Sequence, residues 1–318
     1  TAVEGFLAKQ SSPTPAGIRE LIHKFRSMPF CDVDDAEAEL LARRFESRHG
    51  VTMTIGSVLT EKDYEPWLDA AKAGITPYYW DRYKTFLEKN KHFANQVVST
   101  LDEVTDRILG RLQDPGKKGP WDRRGMVVGH VQSGKTANYT GLICKAADAG
   151  YKLIVVIAGL HNNLRNQTQI RIDEGFVGRD SARLLDQTDD RFIGVGRYDQ
   201  TRRPVTFTNS VKDFTKELAT SVGIPLQDLT EPAVFVIKKH PTTLKNLIDW
   251  LREHNAGRGN AKVDIPMLLI DDEADNASIN IRYKKDEVSR INGQLRALLD
   301  LFERSCYTGY TATPFANI

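Results

Sequence analysis

Cysteine is scarce: three residues in 318, at positions 31, 144 and 306. They stand far apart and none belongs to a C-x-x-C pair, so neither a disulfide framework nor a zinc site is expected, and a reducing, cytoplasmic setting fits. Long hydrophobic runs are also missing. The longest, Leu153 to Ala158, has six residues, where a membrane-spanning helix needs about 20. No signal-peptide pattern opens the chain, and no membrane partner is expected. Charge of one sign is lacking too: 44 Lys and Arg stand against 42 Asp and Glu, a net +2, which by itself gives no argument for nucleic-acid binding. The local basic runs Lys117-Lys118, Arg202-Arg203 and Lys238-Lys239-His240 read as solvated surface. There are no repeats, low-complexity tracts or coiled-coil heptads. What remains is ordinary globular composition, 40% hydrophobic and 27% charged, in a length that suits about two domains.

Two textures divide the chain. Up to about residue 118 the segments GIRELIHKF, DDAEAELLARRFESR, YYWDRYKTFLEKN and VVSTLDEVTDRILGRL place apolar residues at helical spacing. A Pro-, Gly- and charge-rich stretch, LQDPGKKGPWDRRG at 112–125, marks a boundary. Beyond it, short apolar runs (GMVVGH, KLIVVIAG, RFIGVG, AVFVIK, PMLLIDDEAD, CYTGYTATP) alternate with helical stretches (TANYTGLICKAADAG, NNLRNQTQIRIDEG, TLKNLIDWLREH, VSRINGQLRALLDLFE). That alternation predicts βαβ units and a parallel sheet sandwiched by helices. The expected architecture is therefore a helical N-terminal domain, 1–118, and an α/β domain, 119–318. Such a sheet binds ligands at the carboxyl ends of its strands.

The first strand of the α/β part runs into Gly129-His130-Val131-Gln132-Ser133-Gly134-Lys135-Thr136, the G-x-x-x-x-G-K-[ST] pattern of a P-loop. Its glycines, Gly129 and Gly134, allow the backbone to turn tightly around phosphate oxygens. The N–H groups through Gln132 and Ser133, with the helix N-terminus that follows, supply a focused positive field. Lys135 is expected to reach the β- and γ-phosphates and Thr136 to offer its hydroxyl to Mg²⁺. ATP and Mg²⁺ are the expected cofactors, and the fold class narrows to a RecA-like P-loop lobe. Such a loop needs a carboxylate on a neighbouring strand. Pro266-Met-Leu-Leu-Ile-Asp271-Asp272-Glu273-Ala274-Asp275 supplies it: a buried strand with acids at its carboxyl end. Asp272 is the expected Mg²⁺ ligand and Glu273 the residue that polarises the attacking water. Asp271 takes the metal role if the strand ends one residue earlier.

The Asp272-Glu273-Ala274-Asp275 order resembles motif II of superfamily 2 helicases. Two further stretches agree with that resemblance, in order. Ala158-Gly159-Leu160 with Leu164-Arg165-Asn166-Gln167 resembles motif Ia, which makes Arg165 and Gln167 candidate phosphate-backbone contacts. Thr311-Ala312-Thr313-Pro314 resembles motif III, which gives Thr311 and Thr313 a role in coupling hydrolysis to movement. A closer resemblance runs through WDRRGMVVGHVQSGKTANYTGLICKAADAGYK, AGLHNNLRNQTQIR, LLIDDEADNASIN and YTGYTATPFANI. These strings look like the bacterial Z-one-domain proteins, often labelled endonucleases. That family implies a DNA-directed ATPase region, an association with restriction-modification and other anti-phage systems, and partners such as MutL- or MORC-like ATPases or a nuclease.

Superfamily 2 motors use two lobes, and only one fits between residues 119 and 318. The sequence is therefore expected to be the N-terminal portion of a longer protein, with the second lobe and the Z-one region elsewhere. Nuclease chemistry finds no support: no lysine has Asp or Glu two residues before it, and the seven histidines are scattered. The rival to a DNA motor is an ATP-gated assembly switch that recruits defence partners without translocation. The aromatic stretch Ile75-Thr76-Pro77-Tyr78-Tyr79-Trp80 is expected to pack the helical region against the α/β part rather than stack a base.

Overall fold

A computed structural model describes residues 15–26, 28, 34, 35, 37–39, 41, 64–128, 134–183, 191–222, 228, 230–255, 262–274 and 285–311. Six strands form one sheet: β1 (Trp121–Val128), β2 (Leu153–Ala158), β3 (Val205–Thr206), β4 (Ala233–Lys238), β5 (Met267–Asp272) and β6 (Arg304–Thr311). They lie in the order β1-β6-β5-β2-β4-β3, and every pairing is parallel. The protein is thus α/β, with a parallel sheet flanked by helices. The central strands are near-continuous apolar runs, LIVVIA in β2, AVFVI in β4 and MLLI in β5, as burial on both faces requires. Every residue of β2, LIVVIA, is buried.

Alternation along the strands sorts the core into two layers. Ile154, Val156, Val234, Val236, Leu268 and Ile270 point to one face. There they meet α2 (Tyr78–Lys89), α3 (Asn95–Leu109), α4 (Lys135–Ala149) and α5 (Asn162–Ile172). Leu153, Val155, Phe235, Ile237, Met267 and Leu269 point to the other. There they meet α6 (Lys216–Val222), α7 (Pro241–Asn255) and α8 (Lys285–Asp300). The first helix, α1 (Pro15–Arg26), has a small apolar cluster of its own, Ile18, Leu21 and Ile22 with Ala38.

Helix α4 is the hinge of the arrangement. It starts at Gly134, whose φ of 114° suits glycine, and stops at Gly150, φ 116°. The stop is a Schellman motif: Tyr151 N donates to Ala146 O at 2.9 Å and Gly150 N to Ala147 O at 3.2 Å. Its residues Asn138 to Ala147 are all buried, because the sheet lies under it and α2 and α3 lie over it.

Two features differ from a reading by texture alone. First, packing crosses the expected boundary at 118/119: Tyr79, Trp80, Phe86 and Leu101 share one core with α4 and the sheet. The Pro- and Gly-rich stretch is a turn that feeds β1. The rings of Tyr79 and Trp80 are buried in that core, with Tyr79 against Phe176 at 5.2 Å. Secondly, RFIGVG is not a strand but an isolated bridge at Phe192 and a 3-10 turn over Gly194–Arg197. A Cβ on Gly194 would fall 1.9 Å from Glu174 O, and one on Gly196 2.0 Å from Gly178 O. These glycines bring backbone against backbone, and the run is used for that contact instead of for a sheet. Among the described residues, no helix is long and apolar enough to cross a membrane.

Candidate functional site

Register places the sequence-singled residues in one row. Val128, the last residue of β1, pairs with Thr311 of β6, and Tyr310 of β6 pairs with Asp272 of β5. Two inter-strand steps of about 4.8 Å therefore separate the exit of β1 from the acidic end of β5. The strand bearing Thr311 lies between them. Gly129, Gln132, Ser133 and Thr313 fall outside the described residues; Gly134, Lys135, Thr136, Asp272, Glu273 and Thr311 are within them.

From Gly134 the chain enters α4 with Lys135 and Thr136 in its first turn. The first-turn N–H groups of a 15-residue helix thus face the carboxyl ends of β1, β6 and β5. Two contacts lock the helix start to β6. Tyr310 Oη donates to Asn138 Oδ1 at 2.8 Å, with both residues buried, and the Tyr139 ring meets the Tyr310 ring edge-on at 5.7 Å. The Thr136 hydroxyl accepts from Arg171 Nη1 at 2.9 Å.

The two aspartates of β5 have different surroundings. Asp271 is fully buried and ion-paired: Lys239 Nζ lies 2.6 Å from its Oδ1, and Tyr307 Oη donates to its Oδ2 at 2.9 Å. The Asp271 oxygens are thus turned inward onto Lys239 and Tyr307, unlike those expected of a metal ligand. Asp272 faces the row. Burial pushes its carboxyl above the ordinary range, while the charge of Lys135 acts in the opposite direction. Lys135 and Asp272 are thus electrostatic neighbours across the site. A cation bound there would favour the ionised carboxylate.

Glu273 holds a left-handed backbone, φ 57°, a conformation that costs a non-glycine residue about 1 kcal/mol or more. Three hydrogen bonds hold the turn. Glu273 N donates to Asp272 Oδ1 at 3.1 Å, Lys239 Nζ donates to Glu273 O at 2.8 Å, and Ala274 N donates to Tyr310 O at 2.9 Å. The Glu273 carboxylate lies over Gly159, at the end of β2: a Cβ there would come 3.5 Å from Glu273 Oε2 and 3.0 Å from Leu164 Cδ1. The helices after β2 and β5 go to opposite faces of the sheet, so this is a crevice of the kind that open α/β sheets use for ligands.

Lys239 is the residue that sequence reading missed. In the run Lys238-Lys239-His240 it reads as surface, yet it is fully buried. Its backbone N–H reaches Gly159 O at 3.1 Å, so one residue ties the ends of β4, β2 and β5 together. The available signal was its place two residues past the apolar run AVFVI.

The motif Ia residues divide. Gln167 is exposed on α5. Arg165 is fully buried. Its guanidinium donates to Val236 O at 3.2 Å, to Asn166 Oδ1 at 2.8 Å and to Asn209 O, with Asp213 at 3.9 Å. In this conformation the Arg165 donors staple α5 to β4 and to the 205–214 segment, rather than reaching outward as a phosphate-backbone contact would require.

Chemically, the row offers a lysine, a helix N-terminus, a hydroxyl and a carboxylate. Hard oxygen donors beside a positive field suit a divalent cation together with an anionic ligand. Among the described residues, no group of three or more His, Cys, Asp or Glu could hold a metal alone, so a cation here would need ligand or water oxygens as well. Comparison of the chain with protein-family models and with curated proteins finds no match.

Proposed function

We propose that the protein binds ATP·Mg²⁺ at the carboxyl ends of β1, β6 and β5 and hydrolyses it, as the RecA-like lobe of a superfamily 2-type ATPase. The observation that carries this reading is the register. It sets the exit of the G-x-x-x-x-G-K-T strand, Thr311 and Asp272 side by side, with Lys135 close enough to Asp272 to act on its charge. Lys135 neutralises phosphate charge, while Thr136 and Asp272 hold the metal. A divalent cation held by Thr136 and Asp272 would supply charge neutralisation for the phosphates. Glu273, fixed in its left-handed turn, orients the attacking water. Thr311, buried at the end of β6 between the two halves of the site, is placed to sense both.

The DNA-directed and anti-phage part of the proposal rests on the resemblance to the Z-one-domain proteins. One observation favours the rival reading, an ATP-gated assembly switch: Arg165 is committed to internal contacts, which leaves exposed Gln167 as the remaining motif Ia candidate. A small-molecule kinase is disfavoured by the pairing of the Asp-Glu-Ala-Asp turn with the Thr311 strand. Steady-state ATP hydrolysis with and without single- and double-stranded DNA separates the two main readings, with Lys135→Ala as control. Stimulation by DNA that disappears in Lys135→Ala is expected. Turnover that needs Lys135 but ignores DNA moves the proposal to the switch, and turnover indifferent to Lys135 sinks both.

A further inference from the structure

Arg171 lies in the last turn of α5, and its side chain does not stay with its own helix. Its Nη1 donates to Thr136 Oγ1 at 2.9 Å, which brings a guanidinium into the first turn of α4. The residue is exposed, and among the described residues it has no carboxylate partner, so one donor is used on a neutral hydroxyl. Around it, the Tyr139 hydroxyl is buried next to those of Thr136 and Thr168, at a geometry short of a full hydrogen bond. The charge of Asp272 acts on the Tyr139 hydroxyl. The corner formed by α4 and α5 thus holds a cation with spare donors and an under-used hydroxyl, beside the site described above.

We infer that Arg171 is a second phosphate-binding cation of this site, supplied in cis by α5. The inference rests on the proposed nucleotide reading and extends it to a residue outside the P-loop pattern. Its chemistry follows from the hydrogen-bond inventory. A hydroxyl oxygen has two lone pairs and guanidinium has five N–H donors in a planar fork. In the free protein, Arg171 spends a donor on Thr136, whose oxygen the metal also requires. An arriving phosphate offers anionic acceptors, which form shorter and roughly twice as strong charge-assisted bonds. Arg171 therefore moves its donors to phosphate and leaves Thr136 for the cation. Two consequences follow. Nucleotide affinity depends on Arg171 as well as Lys135, and Arg171 matters most when Mg²⁺ is absent, because it is then one of two cations balancing the phosphates. The competing description, a helix C-terminal arginine that interacts with its own helix dipole, predicts no nucleotide dependence at all.

The test is equilibrium titration with a fluorescent ATP analogue, with and without Mg²⁺, on the whole chain. The proteins are wild type, Arg171→Ala, Arg171→Lys and Lys135→Ala, with melting curves of each nucleotide-free protein. Arg171→Ala is expected to bind about tenfold to a hundredfold more weakly, the range of one charged hydrogen bond. The loss should be greater without Mg²⁺, with an unchanged melting temperature. Arg171→Lys should recover part of the affinity, since the charge is kept and the fork is lost. Wild-type affinity in Arg171→Ala, with binding lost in Lys135→Ala, overturns the role of Arg171 and leaves the nucleotide site standing. Absence of binding by the wild-type protein overturns the nucleotide reading and this inference with it. An equal loss at both Mg²⁺ conditions, accompanied by a lower melting temperature and no recovery in Arg171→Lys, marks a structural role and overturns the inference alone.

Discussion

Lys239 shows what one residue does for this site. A lysine with no exposed surface has lost its hydration, and that loss is offset only by near-ideal partners. Asp271 supplies the opposite charge, while the carbonyls of Asp272 and Glu273 take the remaining donors. Removing one partner strands the other charge, so Lys239→Met should destabilise the protein by about 3–5 kcal/mol in urea unfolding. Adding Asp271→Leu to Lys239→Met should recover most of that loss, because no buried charge is left unpaired. Equal destabilisation by the single and double changes would mean that the ammonium's bonds to the acidic turn matter more than the ion pair. A charged residue in a basic run carries no sign of burial until the strand before it is placed. For the same reason Arg165 was legible as a motif residue but not as a buried staple. Its four internal acceptors include two backbone carbonyls, at Val236 and Asn209, from segments remote in sequence.

At the scale of elements, the strand-loop-helix around Gly134 and the acid-tipped β5 were readable, because apolar runs, glycines and acids are local signals. The RFIGVG segment was not, since its glycines serve contacts with Glu174 and Gly178 that no local pattern encodes. The start of α2 is a similar case. No side chain of its own caps it. Instead Asp148, near the end of α4, accepts from Tyr79 N and Trp80 N, both at 2.9 Å, filling the role of a cap from another helix. Burial pushes the Asp148 carboxyl up to about 7 despite those two donors. Burial likewise pushes Asp173, held by Ser181 and Gln169, up to about 7. Both folded-state values lie above the ordinary aspartate value of about 4. Between about pH 4 and 7 the folded protein therefore holds protons that the unfolded chain has released. Stability is fully present at the acid end of that window, falls as pH rises, and levels off above about 7. Each group contributes a slope of up to about 1.4 kcal/mol per unit. Melting temperature should drop from pH 5 to pH 7 in wild type and less steeply in Asp173→Asn. A rise over the same range would show that these carboxyls ionise freely.

For the molecule as a whole, packing crosses the texture change near residue 118, because segments on both sides of it share one core. Sequence periodicity reveals which residues of α2 and α3 are apolar, but not which surface they cover. That surface is α4: Gly141 lies so close beneath the helical layer that an added Cβ would meet Trp80 at 3.1 Å and Thr105 at 3.3 Å. Lys145, 7% exposed in its side chain, reaches across to Asp106 at 2.5 Å, and its ammonium sits 4.5 Å from the Trp80 ring centroid. Helix α4 also carries Lys135 and Thr136, so the layer from 64 to 112 braces the candidate site from behind. A chain shortened to begin at residue 119 would uncover the Gly141 and Lys145 face of α4 and remove Phe86, Leu87, Val98 and Leu101 from the shared core. The burial of these four side chains, at about 1.5–3 kcal/mol each, approaches the whole stability of a typical domain, about 5–15 kcal/mol. That version should be insoluble or lack a cooperative melting transition. A chain that begins at residue 64 keeps the layer and should melt cooperatively, because the apolar cluster of α1 is separate from the core under the sheet. Cooperative folding of the version that starts at 119 would restore the two-domain division and free residues 64–118 for a role independent of the sheet. Failure of the version that starts at 64 would show that α1 belongs to the same unit.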